Sequence, residues 1–260
     1  MPVDDLITIH NPARTAETVG CAAPATPRQV DRAVAAAGRA APDWARTAVS
    51  ERAAALLAAA DTLEAAAETD APLLARESGK PLADCRGEIA FSAAVLRWYA
   101  DAAPGLLADR LIDDAQGRLT IRRRPYGPVA ALTPWNAPVV LTALKLAPAL
   151  VAGNALLVKP SPLAPLAIGA LLTRLARHFP AGLLHTLHGH AETATHLVGH
   201  PGVYKVAFTG GATAARAIGA AAAAALTPTV MELGGNDAAP SSSTTPRWTT
   251  PPWTVWCSRR

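Results

Sequence analysis

The sequence predicts an α/β fold: a parallel sheet covered by helices on both faces, preceded by N-terminal helices and a small β-hairpin. Three observations carry this. From Gly127 onward, short apolar runs of strand length alternate with segments of helical period. Each run ends in a turn rich in Gly, Pro, Thr or Asn, the punctuation expected where a buried strand stops. Half of the 260 residues are apolar, Ala supplies many of them and aromatics make up only 5%, which suits Ala-rich helices packed closely on a sheet.

Taken in order, Leu6–Ile9 and Thr18–Cys21 read as short strands around the turn at Asn11-Pro12. Thr26-Pro27-Arg28-Gln29 is a helix start with three agreeing signals: a capping Thr, a Pro in the first turn and a Gln that completes a capping box. Val30, Ala33, Val34 and Ala37 give that helix an apolar stripe. A second helix starts at Ser50 with Leu56, Leu57, Ala60 and Leu63 at helical spacing. A third opens after Glu77–Pro81 and runs through Ile89, Ala93, Leu96 and Tyr99. Residues 105–125 change character: Arg118–Arg122 alternates as a strand with one polar face, and its arginines discourage unwanted edge pairing.

The alternation then begins. Pro128–Leu132 is a buried strand ending at Thr133-Pro134-Trp135-Asn136, followed by a helix over 138–151. Ala155–Lys159 is a strand ending in Pro160-Ser161-Pro162, followed by a helix over about 165–177. A strand near Leu183–Leu187 and a helix near 191–198 lead to Val203–Phe208, which ends in Thr209-Gly210-Gly211. An Ala-rich helix runs to about 224, and the last strand, Thr229–Glu232, delivers a Glu from a buried strand into Leu233-Gly234-Gly235. Five strands separated by helices imply a Rossmann-like core over about 127–235. A Glu at a strand's carboxyl end sits where open α/β sheets bind ligands. Taken alone, that hexamer reads more readily as a strand end with a solvated Glu before a turn; the chain upstream reverses that preference.

Composition excludes several classes. The most apolar segments are broken by Lys145, Pro148 and Lys159, so no apolar run reaches membrane length. The start, Met1–Asp5, is acidic and lacks the apolar core of a signal peptide. Cys21, Cys85 and Cys257 form neither a CxxC pair nor a disulfide framework, so the expected location is cytoplasmic. Of the net charge of +4, Arg247, Arg259 and Arg260 contribute +3 in a tail without acids, which leaves +1 for the first 237 residues. Arg122–Arg124 lacks interleaved aromatics, so nucleic acid is not an expected partner. Gly79-Lys80 is no phosphate loop, since Leu74 stands where the leading Gly belongs and Pro81 where Ser or Thr belongs. His185, His188 and His190 crowd one strand end, but no Cys or carboxylate completes a set, and no metal is expected.

Thr133-Pro134-Trp135-Asn136, Lys159-Pro160-Ser161, Phe208-Thr209-Gly210-Gly211 and Glu232-Leu233-Gly234-Gly235, in this order, resemble the aldehyde dehydrogenase superfamily. Asn11-Pro12, Trp44, Glu77–Pro81 and Pro125–Val129 sit where that family places such residues, so the match spans residues 6 to about 238. The resemblance implies oxidation of aldehydes with NAD or NADP through a thioester on a cysteine. It implies that Asn136 donates to the oxyanion and that Glu232 is the general base for hydrolysis, a role that benefits from a pKa raised toward neutrality. Lys159 and Ser161 match cofactor contacts. Leu132, Thr133, Pro134, Trp135, Gly210, Gly211, Leu233 and Gly234 match the backbone around the dinucleotide, whose pyrophosphate would meet a helix N-terminus. Two residues depart from the pattern. Pro162 stands where the family often has a Glu that grips the adenosine ribose, which leaves NAD and NADP both open. Gly211 stands where a Ser is common, which keeps the N–H and loses a hydroxyl.

The resemblance implies a homo-oligomer of the intact parent, with strands near 6–22 and 106–125 as contacts. It places residues 1–238 as a cofactor-binding domain, with the hairpin at about 105–125, and leaves the catalytic domain absent. Residues 239–260 have no hydrophobic period and hold three of the six Trp, so they read as an aberrant, disordered tail. GC-rich codons for that stretch, read two bases out of register, permit a strand and an amphipathic helix. The expectation is a frameshift near codons 238–240. Cys257 lacks the setting of the family nucleophile, so the chain is expected to oxidise aldehydes weakly or not at all. The alternative is a non-catalytic nucleotide-binding or oligomerisation fragment. The identity of the aldehyde is not legible.

Overall fold

The computed structural model describes residues 6–235. The expected features of residues 239–260, Cys257 included, lie outside them. β1 (Ile7–Asn11) and β2 (Arg14–Ala22) pair antiparallel, with Ile7 opposite Ala22. Asn11 shapes the turn between them: its Oδ1 accepts the Ala13 N–H at 3.0 Å and its amide donates to Glu17 at 3.0 Å.

α1 (Pro27–Arg46) starts as its sequence predicts. The Thr26 hydroxyl accepts the Gln29 N–H at 3.3 Å, and Gln29 Oε1 accepts the Thr26 N–H at 2.8 Å. Its buried stripe ends in Trp44, whose Nε1 donates to the Leu150 carbonyl at 2.8 Å. Three helices follow: α2 (Val49–Ala65), α3 (Ala67–Ser78) and α4 (Leu82–Leu107). Sequence reasoning passed over α3 because no side chain caps its start and Pro72 interrupts it. Gly79, at φ +76°, ends it in the left-handed conformation. β3 (Arg110–Asp114) and β4 (Gly117–Ile121) form a separate, exposed antiparallel hairpin.

The remaining elements alternate: β5 (Pro128–Leu132), α5 (Pro138–Val151), β6 (Ala155–Lys159), α6 (Leu166–Leu175), β7 (Leu184–Thr186), α7 (Ala191–Val198), β8 (Lys205–Gly210), α8 (Ala212–Ala224) and β9 (Thr229–Leu233). The five strands pair in parallel in the order β7-β6-β5-β8-β9. This is the Rossmann-like parallel sheet that the alternation predicts. Every residue of β5 and β6 is buried, as their continuous apolar runs require. On one face α5 and α6 pack under α2, α3 and α4; on the other, α1 touches α7 and α7 touches α8. No described helix is long and apolar enough to cross a membrane.

The last strand departs from expectation. β9 is not buried: Val230 and Leu233 are 44% and 46% exposed. The reason is topological, since β9 is the sheet edge and among the described residues pairs only with β8. Its apolar residues therefore mark a surface.

The sheet interior offers a direct check. Leu157 is fully buried in β6 between β5 and β7. Leu157→Ala should cost about 2–5 kcal/mol in chemical denaturation of the chain, through lost burial and the cavity left behind. A loss below about 1 kcal/mol would place β6 outside the core.

Candidate active site

β5 is followed by α5 on one face and has β8 as its other neighbour, while β8 is followed by α8 on the opposite face. The chain thus leaves the two central strands in opposite directions and opens a crevice at their carboxyl ends, where open α/β sheets take ligands. The register brings the expected site residues to that edge. Leu132 on β5 stands opposite Lys159 on β6 and Phe208 on β8, and Thr209 and Gly210 on β8 stand opposite Glu232 and Leu233 on β9. Adjacent strands are about 4.8 Å apart, so the row from Lys159 to Glu232 spans about 14 Å.

Thr133 continues β5 by donating its N–H to the Lys159 carbonyl at 3.2 Å. Pro134, Trp135 and Asn136 form the turn into α5, and Trp135 and Asn136 are exposed at the edge. Ser161 lies two residues past Lys159, its hydroxyl accepting the Leu163 N–H at 3.2 Å. Gly211 is the residue from which α8 starts, and the Gly234 N–H reaches the Gly210 carbonyl at 3.4 Å.

Around Glu232 the structure adds Lys145, which sequence reasoning missed as a site residue, and gives a contact to Thr209, which the third motif contains without an assigned role. The Lys145 ammonium, on α5, donates to the Thr209 hydroxyl at 2.6 Å and to Glu232 Oε2 at 3.2 Å, and the Thr209 hydroxyl donates to Glu232 Oε2 at 2.6 Å. The Lys145 side chain is only 5% exposed. In the sequence Lys145 figures only as a break in an apolar segment. The available signal was that a lone cation inside an apolar helix needs a buried partner. The Glu232 carboxyl does not carry the raised pKa from which a general base benefits. Burial pushes its carboxyl up, but the Thr209 hydroxyl and the Lys145 ammonium together outweigh burial and hold it below the usual carboxylate range. Tyr99 on α4 faces the same carboxylate; burial and then the Glu232 charge raise its phenol.

The helix starts at this edge are not equivalent. α5 begins after Ala137, which cannot cap, and the buried Glu88 of α4 takes its first donors: Oε1 accepts the Val139 N–H at 2.7 Å and the Val140 N–H at 3.2 Å. The other Glu88 oxygen is paired with the Lys80 ammonium. α6 begins on Glu77 of α3, which accepts the Leu166 and Ala167 N–H groups at 2.8 and 2.9 Å. Burial pushes the Glu77 carboxyl up to about 7, against the pull of those two donors. Among the described residues, no side chain caps α7 or α8. A Cβ on Gly211 would meet nothing within 4 Å, whereas one on Gly210 would strike the Phe208 ring at 2.5 Å. The start of α8 is therefore open to an anion that must approach the backbone closely.

Lys159 is buried and, among the described residues, its ammonium makes one hydrogen bond, to the Pro160 carbonyl at 3.1 Å; burial pulls its pKa from 10.5 down to about 8. His188 lies beside it. Burial, and then the Lys159 charge, lowers His188, whose buried Nδ1 has no hydrogen-bond partner among the described residues. A buried ammonium with spare donors, an unpaired ring nitrogen and an uncapped helix start on one sheet edge fit an anionic dinucleotide with hydroxyl groups. Among the described residues, no His, Cys, Asp and Glu side chains converge as a metal site. Of the described cysteines, Cys21 lies exposed on β2, and Cys85 is buried in α4 with its thiol pushed up by burial.

Residues 2–240 match the model of the aldehyde dehydrogenase family. The chain is similar to a 3,6-anhydro-alpha-L-galactose dehydrogenase of Streptomyces coelicolor, 41% identical over 209 residues that cover 79% of this chain and 42% of the relative. In solved structures it is similar to NADP-dependent glyceraldehyde-3-phosphate dehydrogenase of Bacillus halodurans C-125 complexed with NADP. That match has a TM-score of 0.85 and 33% identity, and covers 91% of this chain and 51% of the other. A second crystal structure, of PnpE in complex with nicotinamide adenine dinucleotide, matches with a TM-score of 0.83 and 35% identity over 88% of this chain and 48% of the other. The chain spans about half the length of the relatives it matches. It belongs to the aldehyde dehydrogenase family.

Proposed function

We propose that this chain forms the cofactor-binding half of an enzyme that oxidises aldehydes with NAD or NADP. The observation that carries the reading is the row of Leu132, Lys159, Gly210 and Glu232 along one sheet edge, with Lys145 and Thr209 holding the carboxylate. Lys159 and Ser161 hold the ribose side, the turn Leu132–Trp135 and the backbone at Leu233 and Gly234 line the crevice, and the pyrophosphate lies on Gly210, Gly211 and the first turn of α8. When bound, the dinucleotide supplies the hydride acceptor. Asn136 donates its side-chain amide to the oxyanion of the attacked aldehyde. Glu232 then accepts the proton of the water that hydrolyses the thioester. It is ionised at neutral pH, and the Thr209 and Lys145 contacts that lower its pKa must loosen for it to take that proton, since a lowered pKa weakens a base.

The nucleophilic thiol belongs, on this reading, to the half of the relatives that the chain does not span. Residues 1–238 act as one cofactor-binding unit, 239–260 are an out-of-frame tail, the exposed β3–β4 hairpin is an oligomer contact of the parent, and the protein is cytoplasmic. The half-length match also favours a second reading, a fragment that binds nucleotide without catalysis.

Calorimetric titration with NAD and with NADP, beside an assay with several aldehydes, tests the proposal. The 260-residue chain should bind at least one dinucleotide and show little or no turnover; failure to bind either would refute the assignment, and turnover would place a working thiol within the chain. Lys159 is charged below its pKa of about 8, so affinity should weaken as pH rises through about 8. Lys159→Met should flatten that profile and weaken binding roughly tenfold or more. A wild-type profile flat across this range would count against the Lys159 contact. Lys145→Met leaves the burial of Glu232 in place and removes its cation, so the Glu232 pKa should rise; an unchanged value in a carbon-detected NMR titration would show that Lys145 does not hold it down.

A further inference from the structure

We propose that Glu88, held by Lys80, is a positioning residue for the dinucleotide-binding turn Thr133–Ala137, acting through the first turn of α5. The inference rests on the cofactor reading above and adds to it a residue outside the sheet and its loops.

α5 cannot start itself. Ala137 has no side chain to cap it, and Pro138, the first helical residue, has no N–H. The first two donors that exist, Val139 and Val140, both go to one oxygen of Glu88, a residue 51 positions earlier in the chain for the Val139 contact. The first intrahelical bond runs from the Leu141 N–H to the Ala137 carbonyl at 3.0 Å. The other end of the turn is fixed by the sheet: the Thr133 N–H bonds Lys159, and the Thr142 hydroxyl donates to the buried Thr133 hydroxyl at 3.3 Å. Among the described residues, no side-chain hydrogen bond holds Pro134, Trp135, Asn136 or Ala137. Their placement therefore follows from the two anchors, the sheet at Thr133 and Glu88 at the start of α5.

Glu88 is buried, and its second oxygen faces Lys80, whose side chain is about a quarter exposed. The ammonium neutralises a charge that would otherwise be expensive to bury. The carboxylate has two separable properties: the reach of its oxygen to the helix start, and its charge. A positioning role depends on reach. A purely electrostatic role, biasing the potential at the crevice, depends on charge.

Two substitutions separate them. Glu88→Gln keeps an acceptor oxygen at the same reach and loses the charge. Glu88→Asp keeps the charge and withdraws the oxygen by about 1.5 Å. Each is made in the full chain, with Leu56→Ala in the fully buried face of α2 as a stability control that removes no hydrogen bond to the turn. Binding is followed by titration with NADH and NADPH at a temperature where every variant is folded, and unfolding is recorded for each. Positioning predicts that Gln binds within about threefold of wild type, that Asp binds roughly tenfold more weakly, and that Leu56→Ala lowers the unfolding midpoint without moving affinity. Gln weaker than Asp, or Asp equal to wild type, overturns the proposal, as does an affinity that tracks the unfolding midpoint across all variants. A wild-type chain that binds neither dinucleotide overturns the cofactor reading and this proposal with it; wild-type binding with an unaffected Asp variant overturns this proposal alone.

Discussion

A parallel sheet whose central strands are buried on both faces has only its ends to offer a ligand, and every feature of the candidate site follows from that restriction. β5 and β6 contribute no exposed side chain along their length, so polar function begins where they stop, at Thr133 and Lys159. The reversal of strand order between β5 and β8 makes one end of the sheet a crevice. The edge position of β9 then sets Glu232 on the rim of that crevice, half-exposed, while Lys145 reaches it from within the helical layer.

The N-terminal helices complete the edge. Glu77 and Glu88 come from α3 and α4, outside the alternating core, and each supplies the start of a helix that follows a central strand. Two of the helix starts at the crevice are thus already filled by carboxylates of the chain itself, while that of α8 has no side-chain cap. A buried carboxylate that takes two backbone donors serves the fold by satisfying groups that water cannot reach. It also leaves the glycine-led start of α8 open to an external anion.

Much of this architecture is legible in the sequence because the signals are local. The capping box at Thr26 and Gln29, the continuous apolar runs of β5 and β6, and the glycines after Thr209 each depend on neighbours in the chain, and each marks its element within a few residues. What was not legible depends on partners far apart in sequence. α3 has no cap and carries a Pro, so its helix rests on tertiary packing. Lys145 gains its meaning from Glu232, 87 residues away, and Glu88 from Val139, 51 residues away. The exposure of β9 follows from its place in the strand order, which its composition does not encode. The direction of the Glu232 shift is not legible for the same reason: the Thr209 hydroxyl and the Lys145 ammonium that together outweigh burial come from other elements.

The central claim is that one end of this sheet is a dinucleotide crevice. Amide chemical-shift mapping of the isotopically labelled chain, titrated with NAD and with NADP, tests it most directly. The account predicts perturbations concentrated at Leu132–Asn136, Lys159–Ser161 and Gly210–Ala212, at the carboxyl ends of β5, β6 and β8. Perturbations confined to the opposite end of the sheet, where Tyr126 and Tyr204 line a surface groove, would contradict it.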